Sequence, residues 1–181
     1  MASELKRKLD YSDLQTTPDD GKRYELVRGD LLVTPSPTPV HQRVSKRLQA
    51  VLMEYFEGRA IGEVFDAPID LILTNQDVFV PDLLVVTNPD HVSGRGIEGP
   101  PLLIVEILSP STRKQDRGLK AQRYAELGVA HYWIVDPDRK RVECSRLEEG
   151  VFRPRTDAEG DARLEHPDWP GLVVDLAALW R

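Results

Sequence analysis

The chain has 181 residues, which is enough for one compact core, and its length alone predicts a single domain over residues 1–181. Apolar residues make up 40% and charged residues 30% of the sequence, a composition that excludes wholesale disorder. The 24 basic and 30 acidic residues leave a formal net charge of -6, which excludes an overall positive field as the means of attracting a polyanion. Any polyanionic partner has to be bound by a local basic patch.

The first predicted elements are a short helix and a β-hairpin. Ser12, followed three residues later by Gln15, predicts a capping box for a helix that ends at residues 18–21. The segment RYELVRGDLLV has two apolar-bearing runs around Arg28 and Gly29. It predicts a hairpin at the edge of a sheet, with the glycine supplying the positive φ angle.

A longer helix and three strand-like segments come next. Thr38 as N-cap and Pro39 at the first helical position predict a helix with one apolar stripe that continues to about Glu57. The segments EVFDAPIDLIL, DVFVPDLLVV and PPLLIVEIL predict three consecutive strands. The last two segments are apolar almost throughout, which indicates central strands covered on both faces.

The last third of the chain predicts an α/β arrangement followed by a hairpin. A helix over residues 112–127 is predicted to stop at Gly128, after which AHYWIVDP returns to a strand. The segments RVECSRLEEG and VFRPR predict a second hairpin. GLVVDLAALW is an apolar closing segment whose pattern leaves its secondary structure open and indicates a packing role.

Cysteine usage and the N-terminus indicate the compartment. The single cysteine, Cys144, has no partner for an intramolecular disulfide, and the start MASELKRKLDYSDL lacks the apolar core of a signal peptide. No run approaches the roughly 18–20 apolar residues that a membrane-spanning helix needs. We expect a soluble cytoplasmic protein with no membrane partner.

Two acids interrupt segments that otherwise look like buried strands. Asp82 begins one apolar run and Glu106 lies inside the next, where an unpaired carboxylate is costly. Neighbouring strands would bring the two carboxylates together, and a divalent cation would relieve their repulsion. Oxygen ligands favour magnesium or manganese over structural zinc. The alternative is that each acid caps a turn or pairs with an arginine; residues 60–94 contain no lysine or arginine.

The predicted helix over 112–127 is locally basic. Residues 113–123 contain five basic residues and one acid, Asp116, a local charge of +4 that would attract phosphate. Asp116, Lys120 and Tyr124 are spaced by four and share one face, so Lys120 is a candidate to point toward the sheet. The alternative, which spacing alone slightly favours, is a solvated surface pair of Asp116 with Lys120.

The chain contains the segments VPDLLVV, VEILSPSTRKQDRGLKAQRYAELGV and HYWIVDP, which follow DGKRYELVRGDLL and the helix that contains His41. Together these segments resemble the Uma-type restriction endonucleases of bacteria, within the PD-(D/E)XK nuclease superfamily. The resemblance spans roughly residues 10–180. It implies a restriction-endonuclease-like α/β (α+β) core, a mixed central sheet flanked by helices, with the predicted N-terminal and C-terminal hairpins added to it.

The resemblance also implies site residues. Asp82 and Glu106 match the two acids of the motif and imply magnesium as the cofactor. The motif lysine would stand two residues after the second acid, where this chain has Leu108, so the resemblance implies that the lysine has migrated to Lys120. Glu25 and His41 occupy further family positions and are candidates for a metal contact or for orienting water. The alternatives are a cross-hairpin pair for Glu25 and a surface or structurally satisfied role for His41.

These residues predict metal-dependent hydrolysis of DNA phosphodiester bonds, with Lys120 assisting the charged transition state. Lys120→Ala and Glu106→Ala are expected to fold but to lose cleavage, and a homodimer would supply one centre for each strand. Two alternatives stay open: a noncatalytic interaction or regulatory protein on the same scaffold, and a hydrolase of a small phosphorylated substrate. The candidate contacts to the DNA backbone are Arg43, Lys46, Arg47, Arg113, Lys114 and Arg117.

Overall fold

The protein, described by a computed structural model over residues 7–181, has two six-stranded mixed sheets flanked by helices. Residues 1–6, which begin the stretch predicted to lack a signal peptide, lie outside the described part. The strands are β1 (Arg23–Val27), β2 (Asp30–Thr34), β3 (Glu63–Asp66), β4 (Leu71–Thr74), β5 (Asp77–Phe79), β6 (Leu83–Val86), β7 (Val92–Ser93), β8 (Gly96–Glu98), β9 (Leu103–Ile107), β10 (His131–Asp136), β11 (Arg141–Glu148), β12 (Val151–Glu159), β13 (Arg163–Glu165) and β14 (Val173–Asp175).

The helices are α1 (Tyr11–Leu14), α2 (Pro39–Phe56), α3 (Arg113–Gln115), α4 (Ala121–Glu126) and α5 (Leu176–Trp180). One π-helical turn, Asp116–Lys120, joins α3 to α4, and a 3₁₀ turn covers Pro89–His91. None of the helices over residues 7–181 has the length and apolar character needed to cross a bilayer.

The first sheet has the strand order β2-β1-β5-β4-β8-β7, and the second sheet has the order β12-β11-β10-β9-β6-β3. In the second sheet β9 and β10 are parallel, and the segment from α3 to α4 connects them. A parallel pair requires such a crossover, which places the basic helical segment over one face of the sheet. Helix α2 covers the opposite face, where Leu48 and Leu52 pack with Val105 and Trp133.

The predictions for α2 and the first hairpin are confirmed. Thr38 caps α2 by accepting a hydrogen bond from the His41 backbone at 3.3 Å, and Pro39 is its first residue. In the first hairpin, β2 forms the edge of its sheet, and both Arg28 (φ 52°) and Gly29 (φ 75°) occupy the left-handed region of the turn. Such a pair is typical of tight two-residue hairpins.

The predicted capping box at Ser12 is wrong. Asp10 is the N-cap of α1: its carboxylate accepts hydrogen bonds from the backbones of Ser12 and Asp13. The Asp13 side chain accepts a bond from the Asp10 backbone at 2.9 Å, which completes the box two residues earlier. The charged carboxylate of Asp10 is the stronger acceptor for backbone N–H groups.

Two of the three predicted strands are each divided between the sheets. EVFDAPIDLIL forms β3 of the second sheet and β4 of the first, and DVFVPDLLVV forms β5 of the first and β6 of the second. Each break contains a proline, Pro68 or Pro81, which lacks the N–H group that a ladder needs. The expectation that β6 and β9 are central strands is confirmed, since every residue of both is buried.

The predicted C-terminal helix and hairpin are confirmed, and the structure adds a strand and a helix at the end of the chain. The predicted helix over 112–127 is present with a π-helical turn in its middle, and Gly128 follows it with a positive φ of 85°. The second hairpin, β11 with β12, continues the second sheet. The undecided closing segment forms β14 and α5, which pack against the core through Val174, Leu176 and Leu179.

Helix α4 is attached to the first sheet by a buried ion pair that predicts a pH dependence of stability. Asp77 on β5 accepts two hydrogen bonds from Arg123, both at 2.7 Å, and further bonds from the Thr74 hydroxyl and the Arg28 backbone. Burial acts to raise the pKa of Asp77, but these donors outweigh it and lower the pKa to about 2. The resulting stabilisation is present above the ordinary pKa of 3.8 and is lost as the pH falls toward 2.

We therefore expect Asp77→Asn to lower the free energy of unfolding by about 1–2 kcal/mol at pH 7 and by almost nothing near pH 2. Urea unfolding at a series of pH values measures the difference. Asp161→Asn, which changes an exposed acid, is the matched control and should follow the wild-type pH curve. A constant difference between Asp77→Asn and the wild type across this pH range would contradict the assignment.

Candidate active site

The two predicted acids lie near each other where β6 begins and β9 ends. Asp82 is the residue before β6, whose register pairs Leu83 with Val105, and Glu106 is the next residue of β9. One oxygen of Asp82 accepts the backbone N–H of Ile107, and both acids line one cavity with Lys120 of the crossover segment. The cavity therefore lies between the start of β6, the end of β9 and the helical segment 113–126.

Asp82 is held by three donors. One oxygen, Oδ1, lies 2.6 Å from Nη1 of Arg23, and the other, Oδ2, lies 3.0 Å from Nε2 of His41 and accepts the backbone N–H of Ile107 at 2.8 Å. Burial acts to raise the pKa of Asp82, but the hydrogen bond and charge of His41 and the charge of Arg23 hold it below its ordinary value. Asp82 is thus a fixed, ionised carboxylate.

Lys120 lies among three carboxylates. Its Nζ atom is 2.6 Å from Oε1 of Glu106, 3.0 Å from Oε1 of Glu25 and 3.5 Å from Oδ1 of Asp116. The side chain is only 5% exposed, so the alternative of a solvated surface pair with Asp116 is wrong. The predicted common face of Asp116, Lys120 and Tyr124 is confirmed, because all three are buried.

Glu25 and Glu106 are each anchored through one oxygen. Oε1 of Glu25 accepts the backbone N–H of Val80 at 2.9 Å, and Oε1 of Glu106 accepts the hydroxyl of Tyr124 at 2.9 Å. Within residues 7–181, Oε2 of either glutamate makes no hydrogen bond. Each of these side chains therefore retains a free acceptor oxygen. The cross-hairpin alternative for Glu25 is wrong, because its carboxylate contacts Lys120.

These groups line one cavity of about 200 Å³. The loop at residues 109–112, which follows β9, forms part of its wall. Beside it lies a second groove of about 380 Å³ that shares Arg23, His41 and Asp82 and extends along α2 past Lys46. The charged and imidazole side chains that line the first cavity are Arg23, Glu25, His41, Asp82, Glu106, Asp116 and Lys120.

The charges in the cavity do not balance. Four carboxyl groups face two permanent cations, Arg23 and Lys120, so the acids outnumber the permanent cations. Burial raises the pKa of Glu106 well above its ordinary value despite the opposing charge of Lys120, and the charges of Asp116 and Asp82 raise it further. Burial disfavours the charged form of Lys120, but Glu106, Glu25 and Asp116 outweigh it and raise the pKa of Lys120. The ammonium therefore stays protonated.

The predicted DNA contacts divide into two groups. Arg43, Lys46 and Lys114 are exposed. Arg47 donates to the backbone carbonyls of Leu179 and Arg181 at the end of the chain, Arg113 pairs with Asp136, and Arg117 pairs with Glu143. The second group already serves internal contacts.

Arg23 is the site residue that sequence reasoning did not single out. It lies two residues before Glu25 on β1, so the alternation of a strand places both side chains on one face. That spacing was the available signal. Arg23 also supplies the cation that residues 60–94 lack, because this partner of Asp82 comes from a strand 59 positions away.

A mixed sheet flanked by helices, with a helical crossover between the parallel strands β9 and β10, is a restriction-endonuclease-like fold, and it carries an acid before β6, an acid on β9 and a lysine on the crossover. Residues 10–177 match the profile of the family Uma2, described as "putative restriction endonuclease". The match covers most of the chain, and the protein belongs to this family. The family and the fold together support a nuclease.

Two further comparisons agree with this family. The chain is 27% identical over 147 residues to an uncharacterized protein of Synechocystis sp., slr1290, a match that covers 81% of this chain and 74% of that protein. Its fold is similar to that of a crystal structure from Anabaena variabilis, described as a putative nuclease belonging to DUF820. The TM-score is 0.75 at 18% identity, and the similarity covers 95% of this chain and 97% of that one. This second likeness shows the fold.

Proposed function

We propose that the protein is a divalent-metal-dependent endonuclease that hydrolyses phosphodiester bonds of DNA. The observation that carries the proposal is the meeting of Asp82, Glu106 and Lys120 in one cavity with an excess of negative charge. Asp82 directly precedes β6, Glu106 lies on β9, and Lys120 comes from the crossover segment, so the migrated lysine implied by the resemblance has its ammonium beside the second acid.

The side chains present fit a magnesium or manganese ion. All the anionic donors are carboxylate oxygens, the ligands that these hard ions prefer, and a divalent ion would offset the excess of acids over permanent cations. Glu106 offers Oε2, which makes no hydrogen bond within the described chain, and Oδ1 of Asp82 accepts only the bond from Arg23 there. We assign Asp82 and Glu106 as the ligands, with Glu25 as a further candidate.

The chain's own residues would prepare the reaction in three ways. An ion held by Asp82 and Glu106 would supply Lewis-acid polarisation of the phosphoryl oxygens and lower the pKa of a bound water molecule. Arg23 and His41 fix the orientation of Asp82. Lys120 would stabilise the charge that develops on the phosphate or orient the attacking water, and the free oxygen of Glu25 would accept a hydrogen bond from that water.

DNA would reach the cavity along exposed basic residues. Lys46 lies in the groove that adjoins the Asp82 side chain, and the exposed side chains of Arg43 and Lys114 would bind phosphate. Contacts from Arg47, Arg113 and Arg117 would require these side chains to share their present partners. We further propose a homodimer, because one cavity serves one strand, and a cytoplasmic location, which fits the buried free thiol of Cys144.

The test is cleavage of supercoiled plasmid and of oligonucleotides by the wild type and by Glu106→Gln, with Mg²⁺, Mn²⁺ or a chelator. We expect cleavage by the wild type only with metal, and a loss of at least about a hundredfold in the variant, since the substitution removes a ligand charge while keeping the shape. Glu54→Gln, which changes an exposed glutamate on α2, is the control and should cleave like the wild type.

Three results would reject this assignment. If Glu106→Gln cleaves DNA at the wild-type rate, Glu106 is not a ligand of the catalytic ion. Hydrolysis of small phosphate esters without cleavage of oligonucleotides would identify a different hydrolase. A wild type that neither cleaves nor gains stability from either ion would be a noncatalytic scaffold.

A further inference from the structure

A second cluster of ligand-type side chains lies on the other face of the second sheet. His131 is the first residue of β10, and His166 and Asp168 belong to the turn between β13 and β14. Side chains alternate along β10, so His131 shares the face of Trp133, which packs in the core beneath α2. The catalytic cavity lies on the opposite face.

The three side chains converge. One ring nitrogen of each histidine and one carboxylate oxygen of Asp168 all lie within 4.8 Å of one another. His131 and His166 are only 6% and 3% exposed, and the Asp168 side chain is 14% exposed. The cluster is therefore mostly closed, with the carboxylate at its rim.

Both histidines leave a buried nitrogen unsatisfied within the described chain. Nδ1 of His131 and Nε2 of His166 have no hydrogen-bond partner among residues 7–181. Buried polar atoms are normally paired, so two such atoms in one cluster point to a missing partner. Imidazole nitrogens bind metal ions in their neutral form, and two of them are available here.

We propose that His131, His166 and Asp168 bind a transition-metal ion of the Zn²⁺ class. Two imidazole nitrogens and one carboxylate oxygen suit Zn²⁺, Co²⁺ or Ni²⁺, whereas Mg²⁺ favours oxygen ligands only. Three protein donors fill three of the four positions around a tetrahedral ion and leave one for water. The ion would join the β13–β14 turn to the start of β10.

The surroundings orient these donors. Arg155 donates two hydrogen bonds to Asp168, at 3.1 and 2.6 Å. The centroid of the Trp169 ring lies 4.2 Å from that of the His166 ring and 4.4 Å from that of the His131 ring. Ordered outer partners of this kind fix ligand geometry in metal sites. Arg155 and Arg146 also place positive charge near the carboxylate, which opposes cation binding and favours a site that relies on its nitrogen ligands.

Binding would change one internal contact. Nδ1 of His166 accepts the backbone N–H of Asp168 at 3.2 Å, so the neutral ring carries its hydrogen on Nε2. Coordination through either nitrogen disturbs this arrangement. This hydrogen bond is long, so its loss costs less free energy than the new metal–nitrogen bond supplies.

The test is titration of the Glu106→Gln variant with Co²⁺ and Zn²⁺, because that background removes a ligand of the catalytic cavity. We expect one equivalent of Co²⁺ to give the intense visible absorption of a tetrahedral site. Zn²⁺ at a hundredfold excess over its Kd should raise Tm by about 5 °C or more, and Mg²⁺ should do neither. Adding His131→Gln or Asp168→Asn should abolish both signals, whereas His91→Gln, outside the cluster, should retain them.

No absorption and no Zn²⁺ shift would overturn the proposal and favour a buried water that links the orphan nitrogens. Equal binding after His131→Gln and after Asp168→Asn would also overturn it. Asp168 lies at the rim, so Asp168→Asn keeps the test valid if His131→Gln fails to fold. DNA cleavage is measured separately and depends on Mg²⁺ or Mn²⁺, so failure of this site leaves the nuclease proposal intact.

Discussion

Replacing Lys120 by methionine is expected to slow DNA cleavage by at least about a hundredfold and to lower the stability of the fold. Methionine is similar in length but removes the ammonium that lies 2.6 Å from Glu106 and 3.0 Å from Glu25. Loss of one partner of a buried ion pair costs about 3–5 kcal/mol, because the other charge stays buried without compensation. Loss of transition-state stabilisation lowers the cleavage rate by about a hundred- to a thousandfold.

The stability loss in Lys120→Met should depend on pH in a defined direction. Burial already raises the pKa of Glu106 and Asp116, and the charge of Lys120 is the largest influence that opposes the rise. Without it, both carboxyls bind protons more tightly in the folded than in the unfolded state. The variant should therefore be close to the wild type in stability near pH 4 and fall behind as the pH rises to 8.

Melting curves between pH 4 and pH 8, with plasmid cleavage at pH 7–8, measure both effects. Lys114→Met changes an exposed lysine on the same helical segment and is the matched control, with wild-type stability expected at every pH. Full cleavage by Lys120→Met would remove Lys120 from the catalytic machinery. The sequence alone predicted that Lys120→Ala would fold normally, but the burial of Lys120 among three acids changes that expectation.

Asp82→Asn should remove the response to metal while preserving most of the fold. The amide keeps the size of the carboxylate but lacks the charge that a divalent ion and Arg23 require. At a hundredfold excess over its Kd, Mn²⁺ should stabilise the wild type by about 2.7 kcal/mol and leave the variant unchanged. Cleavage should fall by at least about a hundredfold, in line with the loss of a metal ligand.

Thermal melting against Mn²⁺ concentration, with cleavage measured in parallel, tests this expectation. Asp161→Asn, an exposed acid outside both candidate sites, should retain the Mn²⁺ response. An undiminished Mn²⁺ shift in Asp82→Asn would show that the ion binds without Asp82. Asp82→Asn also removes the charge that pairs with Arg23, which lowers stability even in the absence of metal. The effect of Mn²⁺ on Tm is therefore measured against the metal-free melting curve of the same variant.

Local patterns predicted most elements of the fold but not how strands divide between sheets. Thr38, Pro39 and the apolar stripe of α2 act within one helix, so the sequence shows them directly. The runs around Pro68 and Pro81 look like single strands, because hydrophobic runs do not reveal which sheet each half joins. That choice depends on partners distant in sequence.

Sequence patterns marked most of the side chains that meet in the cavity but not all of their partners. Acids within apolar runs marked Asp82 and Glu106, and the spacing of four marked the common face of Asp116 and Lys120. Arg23 was not singled out, because its partner Asp82 lies 59 residues away. The histidine cluster also escaped notice, since His131 and His166 are 35 positions apart and follow no ligand spacing.

The sequence by itself determined helix α2, the helical segment after β9, the central strands and the types of side chain available for chemistry, because these follow from short-range periodicity and from the cost of polar groups in apolar runs. Only the tertiary structure decided which charges meet. The pairing of β6 with β9 brings Asp82, which precedes β6, into one cavity with Glu106, and the crossover segment sets Lys120 among three carboxylates. Electrostatic energy depends on distance in space and on burial, and neither can be read from separation along the chain.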